Sequence, residues 1–229
     1  MSDNEVEIPV LEADDVLLKA QGFIQKFGKK FAIGLGAGLL LGGGVFAYGA
    51  FVTKPKEEKA AEAIYKAQQY FELDSSKLVL DGDGASKGVL YIIKNYSGTK
   101  SANLATYYAG VSYLKLGNFA KAIEYLKDFK TDAKQIQMVA YGSLGDAYAE
   151  SGKKDDAVDY YIKAANTFEK DESISAEYLF RAALLEKTLG KDDKALELFK
   201  ELKEKFPRTE KGSQVDKYIY QISVEKPEL

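Results

Sequence analysis

The sequence predicts an all-α chain, a solenoid of helix-turn-helix repeats preceded by one transmembrane helix. Three observations carry that prediction. Residues 31–53 (FAIGLGAGLLLGGGVFAYGAFVT) contain no charged side chain. From Lys56 onward only Pro207 and Pro227 interrupt a stretch in which Ala, Leu, Lys, Glu and Tyr recur at three- and four-residue spacing, the period of helices with one apolar face. Finally, one pattern of small, aromatic and glycine positions occurs three times, its turn glycines 35 and 38 residues apart, a spacing that marks stacked helical repeats.

Composition narrows the chemistry. The 229 residues include no His, Cys or Trp and carry a formal net charge of −3. Without His, Ser-His-Asp hydrolysis, His-ligated metal sites and imidazole pH switches are excluded. Without Cys, so are thiol nucleophiles, disulfides, iron–sulfur ligation and an acylated N-terminal cysteine. The absence of Cys suits an oxidising or a reducing compartment equally.

Taken in order, residues 1–30 form a tail carrying Asp3, Glu5, Glu7, Glu12, Asp14 and Asp15. Within it, Val16, Ala20, Phe23 and Phe27 fall at helical spacing between lysines, which suits a membrane-surface helix or an extension of the span behind it. As a helix, residues 31–53 reach about 35 Å, enough to cross a bilayer core. A cleaved signal peptide is the competing reading, since Ala47 and Gly49 have A-x-A-like spacing; the acidic tail and the length of the apolar run favour an uncleaved anchor. Lys26, Lys29 and Lys30 before the span nearly balance Lys54 and Lys56 after it. Residues 54–229 hold 28 basic and 29 acidic side chains, so nothing in them resists translocation, and a cytoplasmic N-terminus is expected. Gly34, Gly38 and Gly42 share one helix face, which either receives another transmembrane backbone or reflects the tolerance of membrane helices for glycine. The G-x-G-x-G string in this run lacks the strand and ribose-binding acid of a dinucleotide site.

Residues 54–100 read as an irregular first repeat, with helices at Glu57–Leu73 and Ala85–Tyr96 and with Gly88 and Ile92 in the small and large positions. Between them DSSKLVLDGDG (74–84) reads as a structural turn. Asp81 and Asp83 do not make an EF-hand, because Ala85 and Ile92 stand where it needs acids. Residues 101–207 hold the three regular units. Their matching positions are Gly110, Tyr113, Gly117 and Ala122; Gly145, Tyr148, Gly152 and Ala157; and Ala183, Gly190, Ala195 and Pro207. In residues 208–229, Thr209–Val224 reads as a cap helix covering the last apolar face, followed by a tail.

These residues resemble the tetratricopeptide repeat. The resemblance implies that Gly110, Gly145 and Ala183 lie where the first helix of each unit (helix A) presses on the second (helix B), that Ala122, Ala157 and Ala195 face them, and that Leu126, Tyr161 and Phe199 fill the space between units. It also implies a concave groove lined by helix A side chains: Leu104, Tyr107, Val111 and Leu114; Val139 and Asp146; and Glu177, Phe180, Leu184 and Lys187. Members of this family that grip a C-terminal carboxylate use Lys, Arg and Asn at these positions. The Leu, Tyr, Val and Asp found here favour an extended or helical apolar segment instead.

Neither nucleic acid nor catalysis is indicated. The repeat region has no basic stripe, and the acid pairs Asp155/Asp156 and Asp192/Asp193 sit where they complement helix dipoles. No cofactor or metal is expected. In overall layout the chain is similar to the YfgM-like family of ancillary subunits of the Sec translocon. That likeness implies a single-pass bacterial inner-membrane protein with periplasmic repeats, acting as a non-enzymatic scaffold toward the translocon, a periplasmic chaperone or prolyl isomerase, and unfolded clients. A cell-envelope or division scaffold and a cytosol-facing import receptor are the alternative readings.

Overall fold

A computed structural model describes residues 13–225. Residues 1–12, with Asp3, Glu5, Glu7 and Glu12 of the expected tail, and residues 226–229 at the end of the expected cap segment lie outside the described residues. The chain divides into two units, Met1–Pro55 and Lys56–Leu229.

In the first unit, α1 (Ala13–Tyr48) runs into a π-helical turn, Gly49–Thr53. There the Lys54 N–H donates to the Gly49 carbonyl, one residue further back than in an α-helix. Pro55 follows directly. Proline has no N–H and its ring crowds the carbonyl four residues back, and a widened turn just before it accommodates both. Ile33, Leu39, Leu40, Leu41 and Phe46 are 70 to 80% exposed, an arrangement water disfavours and lipid accepts. Among the described residues one helical stretch, Ala37–Glu72, is long and apolar enough to cross a membrane. A Cβ on Gly34, Gly38 or Gly42 would meet no atom within 4 Å among the described residues.

The second unit is built from helices alone among the described residues, apart from one isolated bridge between Gly82 and Lys87. α2 (Lys54–Glu72), α3 (Ser76–Asp81) and α4 (Val89–Asn95) come first. Three helical pairs follow: α5 (Lys100–Lys115) with α6 (Phe119–Asp128), α7 (Lys134–Glu150) with α8 (Lys154–Thr167), and α9 (Glu172–Thr188) with α10 (Asp192–Lys205). α11 (Glu210–Gln214) and α12 (Asp216–Glu225) close the array.

The turn inside each pair has one cause. Gly117, Gly152 and Gly190 adopt φ of +74°, +81° and +72°, a conformation costly for any residue with a Cβ. The next N–H then reaches back to close the helix: Asn118 to the Tyr113 carbonyl at 2.9 Å, Lys153 to Tyr148 at 3.0 Å and Lys191 to Glu186 at 3.0 Å. This is the Schellman geometry, and it satisfies carbonyls that a helix end would otherwise orphan. At the opposite ends Thr99, Asn118, Asp171 and Thr209 accept N-cap bonds from the backbone three residues on, each worth about 1 kcal/mol. α5 is also capped from a distance. The Glu57 carboxylate on α2 accepts from the Lys100 N–H at 2.6 Å, the Ser101 N–H at 3.0 Å and the Ser101 hydroxyl at 2.6 Å, which ties the irregular unit to the first regular one.

Small-against-large contacts set the distance between paired helices. A Cβ on Gly110 would lie 2.5 Å from Leu126 Cγ, and one on Gly145 would lie 2.6 Å from the Tyr161 ring. Ala122, Ala157, Ala183 and Ala195 are fully buried. Just before each turn the first two units stack tyrosines, Tyr113 on Tyr125 at 5.5 Å and Tyr148 on Tyr160 at 5.2 Å. In the third unit Glu186 takes that place. It is 4% exposed, lies 3.4 Å from Lys191, and is joined through that lysine to Asp155 of the preceding unit.

Three expectations need correction. The 74–84 segment is not only a turn: it contains α3, whose Val79 and Leu80 are buried, because this run carries the apolar pair that closes the first repeat. The helix expected from Ala85 begins at Val89. Gly88 precedes it in extended conformation, and a Cβ there would lie 2.2 Å from the Leu80 carbonyl, so its smallness serves the loop rather than a helix pair. The single cap helix is broken into α11 and α12 around the fully buried Val215.

Candidate protein-binding groove

Buried side chains fall into two zones. One holds Ile64, Val79, Val89, Ile92 and Tyr108; the other holds Met138, Leu144, Leu179, Phe199 and Ile222. Phe71, Tyr107 and Ile123 are partly buried and pack against both. Over this seam lies an open recess of about 430 Å³, lined by Gln68, Phe71 and Glu72 of α2, Leu104, Tyr107 and Tyr108 of α5, and Gln135, Ile136 and Val139 of α7. Three first helices of successive repeats thus share one apolar surface. Its floor is aromatic: the Tyr107 ring lies 6.2 Å from Phe71, 5.8 Å from Tyr108 and 5.3 Å from Phe129. Burial pushes the Tyr107 and Tyr108 hydroxyls above the usual range, with the Glu72 charge adding to the effect on Tyr108. Both are therefore neutral donors at physiological pH. The rim carries two amides, Gln68 and Gln135, suited to a peptide backbone, and Ile136 is 43% exposed above the floor.

Of the predicted lining residues, Leu104, Tyr107 and Val139 meet here. Val111 and Phe180 do not form open surface. Val111 is 9% exposed within the core, and Phe180 is 8% exposed beneath the cap, its ring 5.3 Å from that of Tyr218, with the Lys211 ammonium 4.9 Å from its centroid. Leu114 and Leu184 are half-buried and pack against the two core zones, and Lys187 lies in the last turn of α9.

Asp146 and Glu177 belong to a polar ladder. The Tyr161 hydroxyl donates to Asp146 Oδ1 at 2.7 Å, and Arg181 Nη1 donates to the same oxygen at 3.0 Å. Arg181 Nε donates to Glu177 Oε1 at 2.8 Å, and Lys211 of α11 stands 3.3 Å from Glu177 Oε2. The ladder joins the second unit, the third unit and the cap. Burial and the bond to Asp146 push the Tyr161 hydroxyl well up; burial, with the Asp146 charge adding, pushes Tyr178 up to about 12. For Glu177, burial works upward but Arg181 and Lys211 outweigh it and hold the carboxyl below its usual value. These charges neutralise one another, so the C-terminal half of the helix A face is occupied by its own side chains while the N-terminal half stays open and apolar.

Sequence reasoning missed Phe71, Tyr108 and Ile136 in the groove, and Gly142 beside it. A Cβ on Gly142 would lie 2.1 Å from the Tyr178 ring, so this glycine admits a ring from the following repeat. The signal was present: Gly142 occupies the register position held by Tyr107 and Phe180 in the other units. Asp155/Asp156 and Asp192/Asp193 stand in the first turns of α8 and α10, with Asp155 paired to Lys191. No group of three or more His, Cys, Asp or Glu that could hold a metal ion is found among the described residues.

Comparison with known families agrees with this geometry. A tetratricopeptide-repeat model matches residues 104–134 and 177–209, and a second one matches residues 139–170. These are the three helical pairs. No curated protein matches the chain. The chain therefore carries tetratricopeptide repeats, the architecture of a protein–protein interaction scaffold.

Proposed function

We propose that the protein is a membrane-anchored, non-enzymatic scaffold whose groove over Tyr107 holds apolar segments of other proteins, and that it works at the Sec translocon. The observation that carries this reading is the recess formed by Phe71, Leu104, Tyr107, Ile136 and Val139, which presents large apolar side chains with amides at the rim. A pocket of about 430 Å³ takes two large apolar side chains, the anchors an amphipathic helix or an extended strand would offer. The exposed apolar surface of α1 supports the anchor. Its placement in a bacterial inner membrane, with the N-terminus cytoplasmic and the repeats periplasmic, rests on the likeness in layout to the ancillary translocon subunits. On this reading the clients are emerging polypeptides and the partners periplasmic chaperones or a prolyl isomerase. Holding and orientation, rather than turnover, is the activity.

The test is a photo-crosslinking amino acid at position 107 of the full chain in intact cells. Translocon subunits, chaperones or exported clients are the expected adducts, and Val139→Asp should abolish them. Adducts confined to cytosolic proteins would refute the placement. Adducts that survive Val139→Asp unchanged would refute the groove.

A further inference from the structure

On the far side of the groove wall lies a second recess, of about 220 Å³, between the end of α6 and the α7–α8 pair. Phe129 belongs to both places, since its ring packs on Tyr107 and also lines this recess with Tyr141, Leu144 and Tyr160. Three lysines stand around it: Lys127, Lys130 and Lys163. No carboxylate lies within 4 Å of any of the three among the described residues. Several other lysines near helix ends do have a carboxylate partner: Lys115 with Asp74, Lys191 with Asp155 and Glu186, Lys203 with Asp216, Lys205 with Glu169 and Glu201. Acidic residues are available on the same helices, Glu124 and Asp128 on α6 and Asp159 on α8, yet none lines the recess.

Lys163 is also held in place. Its ammonium lies 4.3 Å from the centroid of Tyr141 and 5.7 Å from that of Tyr160, within the range of a cation–π attraction. A ligand that meets a charge already fixed loses less freedom on binding. The volume falls below the range of about 300 to 1,000 Å³ usual for small-molecule and cofactor pockets, and suits a single side chain. A lipid surface would read a broad, flat basic face, and nucleic acid a continuous basic stripe. A concave, aromatic-walled recess with three uncompensated cations offers neither.

We propose that this recess binds an acidic segment of a partner protein, one carboxylate side chain meeting the Lys163 ammonium while its neighbours meet Lys127 and Lys130. It is a second binding site, of opposite chemical preference to the apolar groove and separated from it by the Tyr107–Phe129 pair.

The experiment is fluorescence anisotropy of a labelled peptide of alternating glutamate and leucine against the full chain in detergent micelles. The same peptide with glutamine for glutamate is the control. The acidic peptide should bind about tenfold or more tightly than its neutral counterpart, and should weaken with added salt. The triple variant Lys127→Gln, Lys130→Gln, Lys163→Gln should lose about tenfold in affinity, and Lys163→Gln alone about threefold. All three side chains are exposed, so the circular dichroism spectrum should stay native. Val139→Asp, in the apolar groove, should leave this binding unchanged. Failure of the acidic peptide to bind, equal binding of the neutral peptide, or undiminished binding by the triple variant would overturn the proposal. Loss of binding in Val139→Asp, or displacement by millimolar inorganic phosphate, would do the same, by placing the peptide in the groove or reducing the recess to a general anion site.

Discussion

Gly110→Ala tests the contact that sets the spacing of the first helical pair. The added methyl would lie 2.5 Å from Leu126 Cγ, 2.9 Å from its Cδ2 and 3.1 Å from its backbone nitrogen. Leu126 is 2% exposed, so it has nowhere to turn, and the nearby backbone means that a new rotamer alone does not clear the overlap. Overpacking of this kind costs about 1 to 3 kcal/mol. Replacing a helical glycine by alanine returns up to about 1 kcal/mol of that. The net loss is about 1 to 2 kcal/mol, which for a domain of this size lowers Tm by roughly 2 to 8 °C. Thermal unfolding of the full chain in detergent, followed by far-ultraviolet circular dichroism, measures it. Leu126→Ala supplies the second arm: alone it opens a cavity worth about 2 to 5 kcal/mol, but beside Ala at position 110 part of that space is filled. The double variant should therefore be more stable than the sum of the single losses predicts, by more than about 0.5 kcal/mol. A Tm for Gly110→Ala at or above that of the parent, or strict additivity in the double variant, would show that the helices are not held at this distance by the glycine.

Three further outcomes are expected. Glu57→Gln should cost about 1 kcal/mol, the usual worth of a helix cap. In the parent, burial pushes the Glu57 carboxyl up, but its bonds from Ser101 and Lys100 outweigh this and hold it below the usual 4.5. Its stabilisation is thus present above about pH 4.5 and lost as pH falls through the lower folded value, so an acid titration of the urea midpoint should be shallower in the variant; parallel titrations would count against the cap. At the alkaline end, Tyr178 is raised from 10.0 to about 12. The folded state therefore keeps a proton that the unfolded state releases, and stability holds below about pH 10 and falls between pH 10 and 12, by up to about 3 kcal/mol. Absorbance at 295 nm should show a late tyrosine fraction appearing only with unfolding, and full ionisation in the folded chain would contradict it. Arg181→Met should cost about 1 kcal/mol, because the paired side chains are 33 to 41% exposed and solvent screens them. A double-mutant cycle with Asp146→Asn that returned no coupling would remove the ladder from the account.

The turns were legible because they are local. A left-handed glycine at 117, 152 and 190 closes a helix by bonds within five residues, and the small residues at 110, 145 and 183 fall at a fixed distance before it. What stayed hidden depends on side chains one repeat apart, such as Gly142 beneath Tyr178 and Asp146 with Arg181, pairs that no helical period joins. α3 escaped for another reason: its six residues, Ser76–Asp81, are too few to display a period, and only burial of Val79 and Leu80 reveals what the run is for.

That division between local and inter-repeat contacts also explains where the groove opens. At one register position the three units carry Tyr107, Gly142 and Phe180. In the third unit the phenylalanine is covered by Tyr218 and Lys211 of the cap, and in the second the glycine is filled by the Tyr178 ring. In the first unit the flanking helix is α2 of the irregular repeat, whose Phe71 reaches Tyr107 at 6.2 Å and Tyr108 at 4.5 Å but leaves the space above them empty. The Tyr178 ring that fills the space at Gly142 comes from the following repeat, and on the matching side of Tyr107 stands α7, which presents Gln135, Ile136 and Val139 to the recess and no ring. The apolar surface thus stays open at the N-terminal end of the array because α7 brings no ring over Tyr107, and it follows that a large side chain on that wall, as in Val139→Trp, should fill the recess and weaken peptide binding at Tyr107.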